Sequence, residues 1–94
     1  MRITGTIWLR DVVDRLSYKH QVEPDEVEQV LRNRPRIRRI AAGDVAGEDL
    51  YSAMGQTDAG RYLIAFFIHK ASGEALVISA RDMSHKERKS YGKK

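Results

Sequence analysis

The polar residues that could carry out chemistry stand at the ends of predicted secondary-structure elements. Arg61 begins one central strand and Arg81 ends the next. Because antiparallel neighbours place the start of one strand beside the end of the other, both arginines are expected at the same end of the sheet. The final helix begins there too, so Glu87, Arg88 and Tyr91 could fold back toward Arg81.

Lys19 and His20 close the first predicted helix, where the helix dipole favours a cation. If they approach the arginines, one site combines guanidinium, imidazole, carboxylate and phenol groups. This inventory suits RNA cleavage through the 2′-hydroxyl, which requires a base for the hydroxyl, cations for the phosphate and a proton donor for the leaving oxygen. The reaction requires neither a metal ion nor a covalent enzyme intermediate.

Each of these residues also has an ordinary structural explanation. Glu87 follows Ser84 at the spacing of a helix capping box. Arg81 could form an ion pair with the adjacent Asp82, and Tyr91 could simply cover an edge of the core. The residue types and their spacing leave both explanations open.

The net charge of +4 conceals an uneven distribution. Residues 32–39 contain five arginines and no acid, residues 41–60 contain four acids and no base, and residues 86–94 contain five bases and one acid. Two basic segments predict an anionic partner, of which nucleic acid is the commonest. Alternatively, the arginines keep an exposed strand edge soluble. The candidate RNA- or partner-binding residues are Arg32, Arg34, Arg36, Arg38 and Lys89.

The composition excludes several classes of protein. The chain has 94 residues, enough for one domain, which we predict to span residues 1–94. It has no cysteine, which excludes disulfides and thiolate nucleophiles and fits a cytoplasmic location. The longest apolar run, residues 62–68, is too short to cross a membrane. The histidines lack metal-ligand spacing and no phosphate-binding loop occurs, so we expect no metal ion and no cofactor.

The pattern of apolar and turn-forming residues predicts an α+β fold. A short strand at residues 3–9 precedes a helix at residues 11–20, and a second helix begins at Pro24 and ends before Pro35. A short final helix begins at Ser84. We therefore expect two N-terminal helices packed on a twisted, mainly antiparallel four-stranded sheet, with a short C-terminal helix. The strands of that sheet are predicted at residues 36–42, 48–56, 62–69 and 74–81.

Several short sequence motifs between residues 8 and 91 occur in the order and spacing of a known family pattern. KHQV at residues 19–22 and PDEV at residues 24–27 form its first part, and ISAR at residues 78–81 followed by Glu87-Arg88 and Tyr91 forms its most specific part. Together they resemble the motifs of the BrnT family. The intervening similarities are GED at residues 47–49, GQT at residues 55–57 and GRYL at residues 60–63.

The resemblance implies a RelE-like fold and a toxin of a type II toxin–antitoxin system, with a ribonuclease activity that inhibits translation. It also implies neutralisation by a DNA-binding antitoxin of ribbon-helix-helix type, with which the protein could oligomerise. By position, Arg61 and Arg81 would hold the phosphate and stabilise the transition state, while His20 or Glu87 would be the base. The other candidate catalytic residues are Lys19, together with Arg88 and Tyr91 for positioning the substrate.

The sequence departs from the family along the first helix. Leu9, Val12 and Leu16 occupy positions where members usually have aspartate, lysine and asparagine, and Gln21 replaces a glycine. Loss of the lysine could remove a cation that faces phosphate. The chain is therefore interpreted as a metal-independent endoribonuclease or, alternatively, as a catalytically weakened RelE-like domain that binds a protein partner or RNA.

Overall fold

Three helices and five strands account for most of residues 1–93, the part of the chain that the computed structural model describes. Lys94, a member of the second basic segment, lies outside the described residues. The elements follow one another as β1 (Gly5–Ile7), α1 (Arg10–His20), α2 (Pro24–Arg32), β2 (Arg36–Ala41), β3 (Leu50–Gln56), β4 (Tyr62–His69), β5 (Glu74–Asp82) and α3 (His85–Gly92).

Local sequence signals mark the starts of α2 and α3, but α1 begins after Leu9, which makes no side-chain capping hydrogen bond. Pro24 is the first residue of α2. At the start of α3, Ser84 accepts a hydrogen bond from the Glu87 backbone and donates its own backbone N–H to the Glu87 carboxylate, which confirms the predicted capping box. α1 ends with Gln21 in the left-handed conformation (φ 52°), which favours glycine. In residues 1–93, no helix has the length and apolarity needed to cross a membrane.

The sheet has the strand order β1-β5-β4-β3-β2. β1 pairs with β5 in parallel, and the other neighbours are antiparallel. The predicted four-stranded sheet is therefore corrected to a five-stranded mixed sheet, in which the short strand predicted at residues 3–9 forms an edge. Gly5 pairs with Glu74, and a parallel pairing across so long a connection leaves no local pattern in the sequence.

The sheet has one face covered by α1 and α2 and one that we call the open face. Along β4, Leu63, Ala65 and Phe67 point to the covered face and are fully buried. Ile64 and Phe66 point the other way, to the open face, where α3 covers one end. The helices complete the core with Val12 and Leu16 from α1 and Val27 and Val30 from α2.

Truncating the core should destabilise the fold strongly. Leu16 is 1% exposed, so Leu16→Ala should lower the free energy of unfolding by about 2–5 kcal/mol, because it removes buried methyl groups and leaves a cavity. Tyr18→Ala, on the same helix at 89% exposure, should change it by less than about 0.5 kcal/mol. Urea unfolding followed by circular dichroism measures both, and equal effects would contradict the assignment of the core.

Candidate functional site

Two rows of side chains cross the open face. Residues directly opposite one another on neighbouring strands form each row. The row that contacts α3 consists of Arg36, Met54, Ile64 and Arg81, in the order β2 to β5. The second row consists of Arg38, Ser52, Phe66 and Ser79. The edge strand β2 therefore contributes an arginine to each row, and β5 contributes a further arginine to the first.

A β-bulge at Ile78 places Arg81 on the open face. Consecutive residues of β4 pair with Val77 and with Ser79, so Ile78 has no partner in the sheet. Val77 is fully buried in the core. Without the bulge, the alternation of side chains would put residues 77 and 81 on the same face. The guanidinium group of Arg15 on α1 donates a hydrogen bond to the Ile78 carbonyl and so supports the bulge.

Polar and aromatic contacts hold α3 against the open face. The guanidinium group of Arg36 donates to two backbone carbonyls near the C-terminal end of α3, at 2.9 and 2.6 Å. The rings of Tyr62 and Tyr91 meet edge to face with centroids 6.1 Å apart, and the Arg88 guanidinium carbon lies 4.1 Å from the Tyr62 ring centroid. No residue of α3 is buried, so an apolar core contributes little to its docking.

A groove of about 440 Å³ lies between α3 and the open face, and we call it the α3 groove. Three cations, from Arg38, Arg81 and Lys86, line it together with the carboxylate of Glu87. Among the described residues, Arg38 and Lys86 form no ion pair, so their charges are available to an anion. The apolar lining residues are Ile40, Met54, Ile64 and Phe66.

Arg81 and Glu87 form a two-pronged ion pair at one wall of the groove. The two guanidinium nitrogens lie 2.7 and 3.0 Å from the two carboxylate oxygens. The hydrogen bond from Arg81, assisted by the backbone N–H of Ser84, lowers the pKa of Glu87 to about 2. The same contact raises the pKa of Arg81. Glu87 is therefore ionised near neutral pH, and it is a weak base while Arg81 holds it.

Arg61 lies at the expected end of the sheet but serves the covered face. Its guanidinium group donates to the carboxylates of Asp82 and Glu26 and to the backbone carbonyls of His20 and Gln21. These contacts occupy all five N–H donors of the side chain. The hydrogen bond to Asp82 is the main cause of a raised pKa for Arg61. In this structure Arg61 joins the α1–α2 junction to the sheet.

The predicted catalytic residues fall into two groups on opposite sides of the sheet. Lys19 and His20 lie at the end of α1, beside Arg61, and within residues 1–93 neither side chain forms an ion pair. The second group surrounds α3 on the open face. The single site expected from the sequence is thus divided, because Arg61 and Arg81 share an end of the sheet but not a face. The second group consists of Arg81, Glu87, Arg88 and Tyr91.

The arginines of the first basic segment have different surroundings. Arg32 forms an exposed ion pair with Asp58 at 3.4 Å, and Arg36 is bound to the carbonyls of α3. Arg34 borders a second groove beside α3, and Arg38 lines the α3 groove itself. Lys89, from the second basic segment, borders two shallow grooves on the outer side of α3.

Sequence reasoning missed the contributions of Lys86 and Phe66 to the groove. In the sequence Lys86 belongs to a basic segment, and its place in the first turn of the last helix puts it beside Glu87. Phe66 lies in an almost uniformly apolar strand, which predicts burial on both faces. Only the absence of a helix over the middle of the open face leaves it partly exposed.

The fold and the groove define a small α+β protein with a cationic cleft on one sheet face. Residues 14–87 match the model of the family described as the ribonuclease toxin BrnT of type II toxin–antitoxin systems. This match covers most of the chain, and the chain belongs to that family. Membership implies an antitoxin protein as partner and RNA as target.

The fold is also that of a solved structure. The chain is similar to the crystal structure of the Brucella abortus ribonuclease toxin BrnT, with a TM-score of 0.68 and 22% sequence identity, over 86% of this chain and 97% of that one. At this identity the similarity establishes the fold, and the predicted α+β class is confirmed. No curated protein sequence matches the chain.

The departures from the family on α1 concern the covered face. Val12 and Leu16 are 7% and 1% exposed and pack in the core. A lysine at position 12 of this structure would lie beneath α1, on the side of the sheet opposite the α3 groove. The apolar residues at these positions therefore leave the cations of the groove unchanged. Leu9 and Val12 precede the residues that match the family model, and only Leu16 lies within them.

Removing the Arg81 guanidinium group should raise the pKa of Glu87. In the Arg81→Ala variant, the pKa should move from about 2 toward the ordinary value of 4.5, because only the capping contacts to Ser84 remain. The stabilisation from a lowered carboxyl pKa is present above pH 4.5 and is lost as pH falls toward 2. The stability difference between the wild type and the variant should therefore shrink over that range.

Carboxyl carbon chemical shifts measured against pH by NMR give this pKa. Arg39→Ala, which removes the partner of Asp49 on another part of the sheet, is the matched control and should leave Glu87 unchanged. A pKa that stays near 2 in Arg81→Ala would show that the helix cap, and not Arg81, holds the carboxylate.

Arg61 should contribute more to stability than an ordinary surface arginine. Arg61→Met leaves the His20 and Gln21 carbonyls and Glu26 without their donor, so unfolding should become easier by at least about 2 kcal/mol. Arg32→Met removes a single ion pair whose arginine is 65% exposed and should cost less than about 1 kcal/mol. Urea unfolding compares the two. A stable Arg61→Met variant without ribonuclease activity would instead assign Arg61 to catalysis.

Proposed function

We propose that the protein is the ribonuclease toxin of a type II toxin–antitoxin pair and cleaves single-stranded messenger RNA in the α3 groove without a metal ion. The observation that supports this proposal is the convergence of Arg38, Arg81 and Lys86 on one open groove. Three positive charges in a groove attract the RNA backbone. In the proposed mechanism they stabilise the charge that develops on the cleaved phosphate, as fixed cations do.

The proposed reaction is an internal transfer within the RNA. The 2′-oxygen of one ribose forms a bond to the neighbouring phosphorus, and the bond from phosphorus to the 5′-oxygen of the next nucleotide breaks. The 2′-hydroxyl proton passes to a base, and the departing 5′-oxygen receives a proton from a water molecule. The products carry a 2′,3′-cyclic phosphate and a 5′-hydroxyl. Loss of the cleaved messenger RNA would inhibit translation.

Arg81 is the residue that we assign to the phosphate. It already binds a carboxylate by two parallel hydrogen bonds, and a phosphate presents the same geometry to a guanidinium group. When Arg81 turns to the phosphate, Glu87 loses the contact that lowers its pKa and becomes a stronger base. We therefore assign Glu87 as the base, with Arg88 and Tyr91 holding α3 in place over Tyr62.

Lys19, His20 and Arg61 have a different role in this proposal. Arg61 fixes the α1–α2 junction, and Lys19 and His20 form a basic corner of the covered side that RNA leaving the groove could contact. We take residues 1–94 as one domain, in which the exposed bases Arg32, Arg34 and Lys89 of the two basic segments offer a surface to RNA or to the antitoxin. We expect an antitoxin of ribbon-helix-helix type, forming an oligomeric complex in the cytoplasm.

A second candidate is a family member that binds RNA or its protein partner but cleaves weakly. The low pKa of Glu87 favours this candidate, because a carboxylate that stays paired with Arg81 cannot accept a proton near neutral pH. The two candidates predict different results for RNA that the protein binds: the first predicts that it is cleaved, and the second that it is cleaved only weakly.

Purified protein should cleave single-stranded RNA, and Arg81→Ala should lower kcat/KM by about 10²–10³, the effect of removing one donor to a developing oxyanion. Arg10→Ala, an exposed arginine on α1, is the matched control and should retain full activity. A 2′-deoxy nucleotide at the cleaved position should block the reaction, EDTA should not, and mass spectrometry should find the cyclic phosphate. Equal activity in Arg81→Ala and the wild type, or loss of activity in EDTA, would contradict the mechanism.

A further inference from the structure

The α3 groove contains more apolar surface than phosphate binding requires. Phosphate contacts need cations and N–H donors, yet Phe66, Met54 and Ile40 also line the groove. Ile40 is 48% exposed, and Phe66 is only partly buried. These side chains lie on the open face, where neither α1 nor α2 covers them. Apolar and aromatic surface next to cations is the arrangement that binds unstacked bases of single-stranded RNA.

The register places this apolar surface between two cations. Phe66 lies one strand from Arg81, whose guanidinium carbon is 5.8 Å from the ring centroid. Arg38 lies in the same row as Phe66 but two strands away, so the two backbones are about 10 Å apart at the usual strand spacing. A nucleotide whose base contacts Phe66 would therefore have one cation at each side of the base.

Two serines also line the groove near this position. Ser52 lies between Arg38 and Phe66 in the floor of the groove, and Ser90 belongs to α3. A serine hydroxyl can both donate and accept a hydrogen bond, as the edge of a base requires.

We propose that the α3 groove contains a subsite for one nucleobase of a single-stranded RNA, in which the base stacks on Phe66 and the adjoining phosphate binds Arg81. The proposal rests on the proposed function in taking RNA as the ligand, but it does not require that the protein cleaves RNA. Phe66 is then a residue that determines which nucleotides are preferred next to the cleaved bond. Arg38 binds the phosphate on the far side of the base, and the serine hydroxyls contact its edge.

Binding of 2′-O-methylated oligonucleotides tests the subsite, because the methyl group blocks the attacking oxygen and removes cleavage from the measurement. A single abasic residue is moved through each position of one oligonucleotide in turn. The wild-type protein should bind the oligonucleotide about 5- to 150-fold more weakly when the abasic residue is at one particular position, which is the usual effect of removing one stacked base. An abasic residue at a neighbouring position should weaken binding much less. Equal affinity for every abasic oligonucleotide would overturn the proposal.

Variants of Phe66 assign the effect to the ring. Phe66→Leu keeps an apolar side chain, and it should reduce the position-specific loss to less than about threefold. Phe66→Tyr keeps the ring and should preserve the loss. Tyr18→Leu removes an aromatic ring that is 89% exposed on α1, and it should behave as the wild type. If the position-specific loss persists unchanged in Phe66→Leu, the base does not stack on Phe66.

The same proteins are assayed with unmodified RNA, which separates this proposal from the proposed function. A wild type that shows the position-specific loss but does not cleave supports the subsite and contradicts the ribonuclease mechanism. A wild type that cleaves with no position-specific loss supports the mechanism and overturns the subsite. If no oligonucleotide binds, the groove does not receive RNA, and both the subsite and the ribonuclease mechanism are overturned.

Discussion

The sheet of this protein is covered by α-helices on one face only, and the positions of the candidate functional residues follow from that constraint. Successive side chains of a strand point to opposite faces, so β4 sends Leu63, Ala65 and Phe67 into the core and Ile64 and Phe66 to the open face. α3 is too short to cover that face, and none of its residues is buried. The uncovered remainder is the α3 groove.

Arg61 and Arg81 lie at the same end of the sheet but on different faces, and they therefore have different partners. Arg61 belongs to the covered face, where two carboxylates and two backbone carbonyls occupy every donor that it has. Arg81 belongs to the open face, where its partner is one carboxylate on a helix that is attached mainly by polar contacts. The partners of Arg61 link α1 and α2 to the sheet in addition to the apolar core.

Family membership and the α3 groove give information on different aspects of the function. Membership of the BrnT family of ribonuclease toxins implies the antitoxin partner and the RNA target, and residues 14–87, which match the family model, carry this information in the sequence. The groove brings together the three cations Arg38, Arg81 and Lys86, on which the proposed mechanism depends. The apolar residues Val12 and Leu16, which looked like losses of active-site groups, are accounted for by packing on the covered face.

Local interactions made the starts of α2 and α3 predictable from the sequence. The capping box of Ser84 and Glu87, the start of α2 at Pro24 and the α+β class depend on neighbouring residues, and so does the end of the sheet at which Arg61 and Arg81 lie. The tertiary structure alone decided that β1 joins the sheet in parallel, because its partner is far along the chain. It also decided that Arg81 faces the groove. The bulge at Ile78 reverses the alternation after Val77, and a bulge depends on the pairing between strands rather than on the residues within one.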